Sequence, residues 1–362
     1  MGVSSLYRLH PWASGLRNDI RKEKKAMPMT PREVVRRTIR FEGADRIPYS
    51  LAPPYGSDFA GVAMDPSPDA RPKSGRDEWG CVWENIGVSN LGEVKHPALA
   101  TWADWDSLNI PDIRDPRRWK SLDGARERAG DKFLLAYGIS LYERVHFIRG
   151  LEETWMDIYT NPVELGRLID VLVDMNLFAI ERYAQAGADG YIFCDDWGLQ
   201  GGLMISPEAW REIWRPRYAR VYKAAHDAGL FTFLHSCGHI VAILDDLIAA
   251  GLDVIQMDQQ ENMGVDLLGQ RFGGRITFWC PVDIQATMVY GSLDDIRAYC
   301  RKLVHTLGRP KGGFIAKWYD DPAGAGHRPE AIEAMCEEFL KLSQQHGVLE
   351  PTPERYVAPH RE

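Results

Sequence analysis

The sequence predicts a single (β/α)8 barrel, an α/β fold in which eight parallel strands are surrounded by helices. Short apolar runs such as "GYIFCDD", "FTFLHSCG" and "ITFWCPVD" alternate with helical patterns such as "SPEAWREIWRPRYARVYKAAHDAG". Strands that are separated this regularly by helices are typical of a parallel sheet closed by crossover connections. No glycine-rich fingerprint follows the first apolar run, which argues against a dinucleotide-binding fold.

The predicted elements begin at residue 29. Thr30 is a capping residue, with Pro31 at the first helical position and Glu33 at the third, and together they predict a first helix. Seven strands correspond to the apolar runs from "RIPYSL" to "GFIAKWYD", and we expect an eighth element between "DEWGCVWENIG" and "LGEVKH". Residues 29–345 are therefore expected to form the barrel, residues 1–28 a charged N-terminal extension, and residues 346–362 a C-terminal tail.

Composition excludes several classes of partner. The chain has 362 residues, and its hydrophobic fraction of 45% is sufficient for a sizeable core. A formal net charge of −8 argues against nucleic acid or an anionic membrane as the partner. No apolar run reaches the ~18 residues that a membrane helix needs. The six cysteines are scattered and no export signal is recognised, so we expect a reduced, cytoplasmic protein that acts on a small molecule. The sequence is compatible with a homodimer.

Polar side chains end several of the predicted strands. In a (β/α)8 barrel the carboxyl ends of the strands share one mouth, where the active site lies. His235 and Cys237 end one strand, and residues two apart face the same side, so both could bind one metal ion such as zinc. The plainer alternative is that they only complete a buried strand. Asp195 and Asp196 end the preceding strand and, together with Glu143, are candidates for proton transfer.

Other residues near the strand ends are candidates for contact with the substrate. Tryptophans at the mouth suit an aromatic or otherwise flat molecule, and the loop "DDPAGAGH" is expected to lie over the opening. The candidates are Trp197, Asp258, Trp279, Trp318, Tyr319 and His327. Four of the cysteines are expected only to pack in the interior: Cys81, Cys194, Cys300 and Cys336.

From about Thr30 to Leu342 the chain resembles the uroporphyrinogen decarboxylase superfamily. The resemblance lies in "TPREVVRRTIRFEGADRIPY", "YERVHFIRGLE", "AGADGYIFCDDWGLQGG", "FLHSCGHI" and "GGFIAKWYDDPAGAG". It implies a (β/α)8 barrel and one of two activities, because the superfamily contains cofactor-free porphyrinogen decarboxylases and zinc-dependent methyltransferases that work with corrinoids. The histidine-x-cysteine at residues 235 and 237 resembles the zinc motif of the methyltransferases.

Two departures from the superfamily bear on the activity. The methyltransferases supply a third zinc ligand, a cysteine, near the strand that reads "GGFIAKWYDD" here, and this sequence has none there. Cys280, on an intervening strand, is the expected replacement, with Asp258 or Glu261 as alternatives. The decarboxylases carry two arginines after the first strand, whereas Arg46 precedes it here and the next arginine is Arg71. A substrate with eight carboxylates would be held poorly.

The favoured hypothesis is a zinc-dependent methyltransferase or demethylase that moves a methyl group between a small substrate or thiol and a corrinoid. His235, Cys237 and Cys280 would hold the zinc. The corrinoid is expected as methylcobalamin or on a separate protein, because the chain has no room for a cobalamin domain. One alternative is a metal-free decarboxylase of a porphyrinogen or a smaller aromatic acid, using Asp196 or Asp77. Another is a non-catalytic member that binds a corrinoid or tetrapyrrole.

Overall fold

The computed structural model describes residues 28–67, 75–85 and 92–345. Residues 1–27 of the predicted extension and the predicted tail lie outside the described residues.

The strands are β1 (Tyr49–Ser50), β2 (Phe59–Ala63), β3 (Val82–Asn85), β4 (Gly92–His96), β5 (Phe133–Tyr137), β6 (Gly190–Cys194), β7 (Phe231–His235), β8 (Val254–Gln256), β9 (Thr277–Cys280) and β10 (Phe314–Lys317). The α-helices are α1 (Pro31–Ile39), α2 (Ala125–Ala129), α3 (Tyr142–Arg149), α4 (Leu151–Thr160), α5 (Pro162–Gln185), α6 (Pro207–Ile213), α7 (Arg215–Asp227), α8 (Val241–Ala250), α9 (Val265–Phe272), α10 (Thr287–Tyr290), α11 (Leu293–Leu307) and α12 (Pro329–Gln344). Among these helices, none is both long and apolar enough to cross a lipid bilayer.

Eight of the strands form one parallel sheet that curls into a nearly closed barrel. Their order is β1, β10, β9, β8, β7, β6, β5 and β2, and every ladder between neighbours is parallel. The two end strands approach each other through a bridge between Ser50 and Ser57. Helices connect successive strands from β5 onward, as parallel pairing requires. The predicted (β/α)8 barrel is confirmed.

The predicted eighth element was wrong. The region from "DEWGCVWENIG" to "LGEVKH" contains β3 and β4, which pair with each other as an antiparallel hairpin outside the barrel. The missing barrel strand is β2, with the sequence FAGVA. Three of its five residues, Ala60, Gly61 and Ala63, are small, so β2 has a smaller share of large apolar and β-branched residues than the other barrel strands and is harder to recognise as a strand.

Successive side chains of each strand point to opposite faces of the sheet, and this alternation divides the core into two layers. The residues aligned across β7, β8, β9 and β10 are His235, Gln256, Trp279 and Ile315, so their side chains share one face of the sheet. That face encloses the barrel interior, which is filled by Phe133, Ile192, Phe233, Val254, Trp279 and Ile315. The opposite face packs against the helices and includes Leu134, Tyr191, Leu234, Ile255, Phe278 and Cys280.

A buried ion-pair cluster fixes α1 across the amino ends of the strands, opposite the mouth. The Thr30 hydroxyl accepts a hydrogen bond from the Glu33 backbone N–H at 3.2 Å, as the capping pattern predicted. Asp189 directly precedes β6 and is fully buried. Its carboxylate binds guanidinium nitrogens of Arg32 at 2.7 Å, of Arg36 at 3.1 Å and of Arg126 at 2.8 Å. One carboxylate therefore ties two parts of the chain to the barrel.

Replacing Asp189 by alanine should destabilise the protein by about 3 kcal/mol, because three guanidinium groups would lose their buried partner. Urea unfolding measures the change. The matched control is Asp227→Ala, which removes an exposed pair with Lys223 and should cost less than about 1 kcal/mol. Equal free-energy changes for the two variants would contradict the anchoring role of Asp189.

Candidate active site at the barrel mouth

The carboxyl ends of four barrel strands, the neighbours β6, β7 and β8 together with β10, bring polar side chains to the mouth. The last inward-facing residues of β6, β7, β8 and β10 are Cys194, His235, Gln256 and Lys317. The residues two positions further along the chain are Asp196, Cys237, Asp258 and Tyr319. Because side chains two apart face the same side, both sets point towards the same opening.

The His235 ring is oriented by a chain of hydrogen bonds. The Gln256 amide nitrogen donates to Asp258 Oδ1 at 2.7 Å, and a carboxylate can only accept, so this contact fixes the orientation of the amide. Gln256 Oε1 therefore accepts from His235 Nδ1. The other ring nitrogen, Nε2, lies 3.4 Å from Cys237 Sγ and 3.4 Å from Asp196 Oδ1. A ligating histidine is commonly held in this way, through the nitrogen that does not bind the metal.

The donor atoms around His235 fit a zinc ion. A ring nitrogen of His235, the Cys237 sulfur and an Asp258 carboxylate oxygen all lie within 4.8 Å of one another. A second group, equally compact, contains Cys194, Asp196 and His235. Imidazole nitrogen, thiolate sulfur and carboxylate oxygen are the protein ligands that zinc prefers. His235 belongs to both groups, so the site is centred on its ring.

Close backbone packing holds the loop that carries Cys237. The Cys237 N–H donates to Asp196 Oδ1 at 2.7 Å, and its carbonyl accepts from the Gly198 N–H at 3.1 Å. The Gly238 N–H donates to Gln259 Oε1 at 2.8 Å. Gly238 has a φ of +76°, and a Cβ there would lie 2.0 Å from the Gly198 oxygen. The loops that follow β6 and β7 can therefore meet only if both residues lack a side chain.

Burial and neighbouring charges shift the pKa values of this cluster. Burial, reinforced by the Asp196 charge, raises the pKa of Glu143 to about 7. Burial also raises the pKa of Cys194, to about 12, and that of Cys237. For His235, burial acts to lower the pKa, but hydrogen bonds with Asp196 and both cysteines raise it well above its usual value. The raised pKa values of His235 and Cys237 favour their protonated forms, and a metal ion bound there would have to displace those protons.

Comparison with known proteins identifies the family. Residues 92–338 match the family model described as uroporphyrinogen decarboxylase (URO-D). The chain belongs to the uroporphyrinogen decarboxylase family. A uroporphyrinogen decarboxylase from Thioalkalivibrio sulfidiphilus (strain HL-EbGR7) is 25% identical over 197 residues, 52% of each chain, so the match spans about half of that relative. A methyltransferase from Methanosarcina mazei has a similar fold, with a TM-score of 0.60 and 15% identity over 86% of this chain and 99% of that one.

In this member of the uroporphyrinogen decarboxylase family, five of the predicted site residues lie together. They are Glu143, Asp196, His235, Cys237 and Asp258. Glu143 reaches the cluster through Cys194, whose thiol donates to Glu143 Oε1 at 3.6 Å. Asp258, expected to contact substrate or to serve as an alternative ligand, belongs to the first donor group.

Tyr319 and His327 lie beside this cluster. Their ring centroids are 5.7 Å apart, and His327 Nε2 lies 2.9 Å from the Ile284 carbonyl oxygen. Burial lowers the pKa of His327, which favours the neutral form of its ring. Asp258 and Cys237 contribute to raising the pKa of Tyr319, after burial. The aromatic edge of the mouth therefore adjoins the donor atoms.

The prediction that Cys280 is the third ligand was wrong. Cys280 follows Trp279, which faces the barrel interior, and strand alternation therefore turns Cys280 towards the helices. Its side chain is fully buried there and belongs to neither donor group. Asp258 takes the third place in the group with His235 and Cys237. Glu261, the other acidic alternative, instead accepts a hydrogen bond from the Tyr299 hydroxyl at 2.7 Å.

Asp195 was predicted to be catalytic, but its carboxylate is enclosed in the protein. It is fully buried and accepts hydrogen bonds from the backbone N–H groups of Leu141 at 3.2 Å and Glu143 at 2.9 Å. The Tyr218 hydroxyl also donates to it. Burial is the main reason that the pKa of Asp195 is raised well above its usual value. Asp195 therefore positions the start of α3, and with it Glu143.

Two of the three tryptophans predicted to wall the substrate are packing residues. Trp197 is fully buried and stacks on Tyr142 with a centroid distance of 3.9 Å. Trp318 follows the inward-facing Lys317 and packs against the helix-facing core. Trp279 does face the interior, where it stacks on Phe59 at 4.8 Å and is 6% exposed. It forms part of the barrel filling beneath the mouth.

Three residues of the cluster were missed by the sequence analysis: Cys194, Gln256 and Lys317. The expectation that Cys194 only packs is corrected, since its sulfur lies in the second donor group. The sequence does contain a signal for these three residues. Each lies two positions before a residue that was predicted to be at the mouth, namely Asp196, Asp258 and Tyr319. The remaining cysteines are buried in the core, as expected: Cys81, Cys300 and Cys336.

Gly238→Ala should displace the Cys237 loop, because the new methyl group would overlap the Gly198 backbone and the positive φ disfavours alanine. We expect a loss of roughly 2 kcal/mol in the free energy of unfolding and weaker metal binding. Gly201→Ala is the control, since a Cβ there meets no atom within 4 Å. Chemical denaturation and metal titration measure the two effects. Equal unfolding free energies and equal metal affinities for the two variants would contradict the role given to Gly238.

Proposed function

We propose that the protein is a zinc-dependent methyltransferase or demethylase that moves a methyl group between a small substrate or thiol and a corrinoid. The observation that carries the proposal is the convergence of His235, Cys237 and Asp258 at the carboxyl ends of β7 and β8. Three protein ligands with an open fourth position are typical of a catalytic zinc site. The similar fold of the Methanosarcina mazei methyltransferase is consistent with it.

Each residue of the cluster has a distinct part in the proposed reaction. His235, Cys237 and Asp258 would hold the zinc, which when bound would supply Lewis acidity to a thiol, ether or alkoxide group of the substrate. Gln256 holds the His235 ring so that Nε2 faces the Cys237 sulfur. Glu143, with a pKa of about 7, is suited to accept or donate a proton beside the reacting group at neutral pH.

The methyl carrier would be a separate corrinoid protein or free methylcobalamin. The residues that the structure describes form the barrel, its connecting helices and one hairpin, and the donor cluster lies at the mouth. A corrinoid would therefore approach from outside the barrel. Methyl transfer in either direction would require the carrier and the small substrate to meet at this opening.

A metal-free decarboxylase of uroporphyrinogen or a related carboxylated aromatic is the second candidate, favoured by the 25% identical relative. The charges near the mouth suit it less well. Among the cluster residues, Lys317 is paired with Asp258 and His235 with Asp196, so little positive charge is left to hold a substrate with many carboxylates. We therefore favour methyl transfer over decarboxylation.

The other residues considered for decarboxylation are engaged elsewhere. Arg46 donates to both carboxylate oxygens of Asp58, at 2.7 and 2.5 Å. Asp77 accepts hydrogen bonds from the Cys81 N–H at 2.9 Å and from Arg144 at 3.0 Å, where it supports the hairpin. Arg71 lies outside the described residues.

Metal analysis tests the proposal. Protein purified from zinc-supplemented medium should contain one zinc per chain, and His235→Ala and Cys237→Ala should each weaken retention at least tenfold, because each removes one of three ligands. Cys280→Ser and Cys300→Ser are matched controls and should retain zinc, since both sulfurs lie in the helix-facing core.

Activity supplies a second test. Demethylation of methylcobalamin by added thiols, measured by the change in cobalamin absorbance, should be lost in Cys237→Ala.

Two results would contradict the proposal. The first is wild-type protein without stoichiometric zinc whose activity resists chelators. The second is carbon dioxide release from uroporphyrinogen at the same rate before and after Cys237→Ala, which would favour the decarboxylase instead.

Zinc affinity should rise with pH. The pKa values of both His235 and Cys237 are raised in the metal-free protein, so protons compete with zinc below those values and the competition is lost as pH rises. Displacement of two protons gives an increase of up to about 100-fold per pH unit. Competition with a chromophoric chelator between pH 6 and pH 8 measures this dependence. Equal affinity across that range would show that neither group is a ligand.

A further inference from the structure

A buried cation lies against the proposed zinc site. Lys317 is the last residue of β10, and its Nζ lies 3.2 Å from Asp258 Oδ1. The side chains are 10% and 5% exposed, so the ion pair is shielded from solvent. The same Asp258 oxygen also accepts the hydrogen bond from Gln256. In this structure the ammonium is therefore the cation that balances Asp258.

A metal ion would need the same carboxylate. Asp258 is one of three residues whose donor atoms converge with those of His235 and Cys237. An ammonium and a divalent ion bound to one carboxylate repel each other, and the repulsion is strong where water screens it little. Without a metal ion, however, Asp258 would be a buried charge that needs a partner. Lys317 meets that need in the metal-free protein and opposes metal binding.

The ammonium also lies near an aromatic ring. The Lys317 Nζ lies 5.6 Å from the centroid of the Tyr319 ring, a distance at which an aromatic face attracts a cation. Tyr319 is two residues further along and faces the same opening. The Lys317 side chain could thus move from Asp258 towards the ring without leaving the mouth.

We propose that Lys317 competes with the metal ion for Asp258, so that loading of the site exchanges an ammonium ion for zinc and shifts Lys317 towards Tyr319. The proposal rests on the proposed function for the identity of the metal and goes beyond it in assigning Lys317 a role. It makes Lys317 a residue that lowers the affinity for zinc while stabilising the metal-free protein.

The test compares zinc affinity in Lys317→Met, Lys317→Arg and wild-type protein, measured by competition with a chromophoric chelator at pH 7.5. Lys317→Met keeps the length of the side chain and removes the charge, so it should bind zinc at least tenfold more tightly, which corresponds to about 1.4 kcal/mol. Lys317→Arg keeps the charge, and because a guanidinium can pair with a carboxylate through two hydrogen bonds, it should bind zinc no more tightly than wild type. Lys223→Met, which alters an exposed pair with Asp227, controls for general effects of removing a lysine.

Thermal unfolding supplies a readout that does not depend on catalysis. Metal-free Lys317→Met should melt below metal-free wild type, because Asp258 loses its partner, and saturating zinc should raise its melting temperature more than it raises that of wild type. If metal-free Lys317→Met fails to fold, Lys317→Gln takes its place, since it also removes the charge.

The outcomes separate this proposal from the proposed function. If wild type binds zinc but the uncharged variant binds it equally or more weakly, Lys317 does not compete and the inference is overturned, while the zinc site stands. If only the uncharged variant binds zinc, the inference holds and the proposed function of the wild-type protein fails. If neither binds zinc, both are overturned.

Discussion

The alternation of side chains along each barrel strand decides which groups can meet at the mouth. Residues two apart face the same side, so a polar residue just beyond a strand lies above the last inward residue within it. The ends of β6, β7, β8 and β10 obey this spacing, and they supply every residue of the cluster except Glu143: Cys194 with Asp196, His235 with Cys237, Gln256 with Asp258, and Lys317 with Tyr319. The same alternation turns Cys280 away from the site.

The cluster is also connected internally by hydrogen bonds and charge. Lys317 and Gln256 both bind one oxygen of Asp258, and Gln256 in turn orients His235. His235 and Asp258 each have at least two partners and little freedom to reorient, which favours a site whose ligands are in place before a metal ion arrives. Asp195 connects α3 to the strand ends, because its carboxylate accepts a hydrogen bond from the Glu143 backbone N–H. The proposed metal ligands and the proposed proton carrier are thus parts of one network.

The sequence predicted the barrel, the family and the pair His235 and Cys237, because these depend on local patterns that a single chain displays. It did not predict β2, whose small side chains carry little apolar signal. It named Asp258 only as an alternative to Cys280 for the third donor, because "FWC" at residues 278–280 does not reveal which of its neighbouring side chains faces inward. The pairing of Trp279 with Gln256 and Ile315 supplies that information, and it is a property of the assembled sheet.

The central claim is that one sulfur, one imidazole and one carboxylate converge to hold zinc. X-ray absorption spectroscopy at the zinc edge of the loaded wild-type protein tests it most directly, because sulfur and lighter ligands differ in scattering and in distance. The account predicts a single sulfur at ~2.3 Å and nitrogen or oxygen ligands at ~2.0–2.2 Å. Two or more sulfur ligands, or a zinc ion without any sulfur, would contradict it.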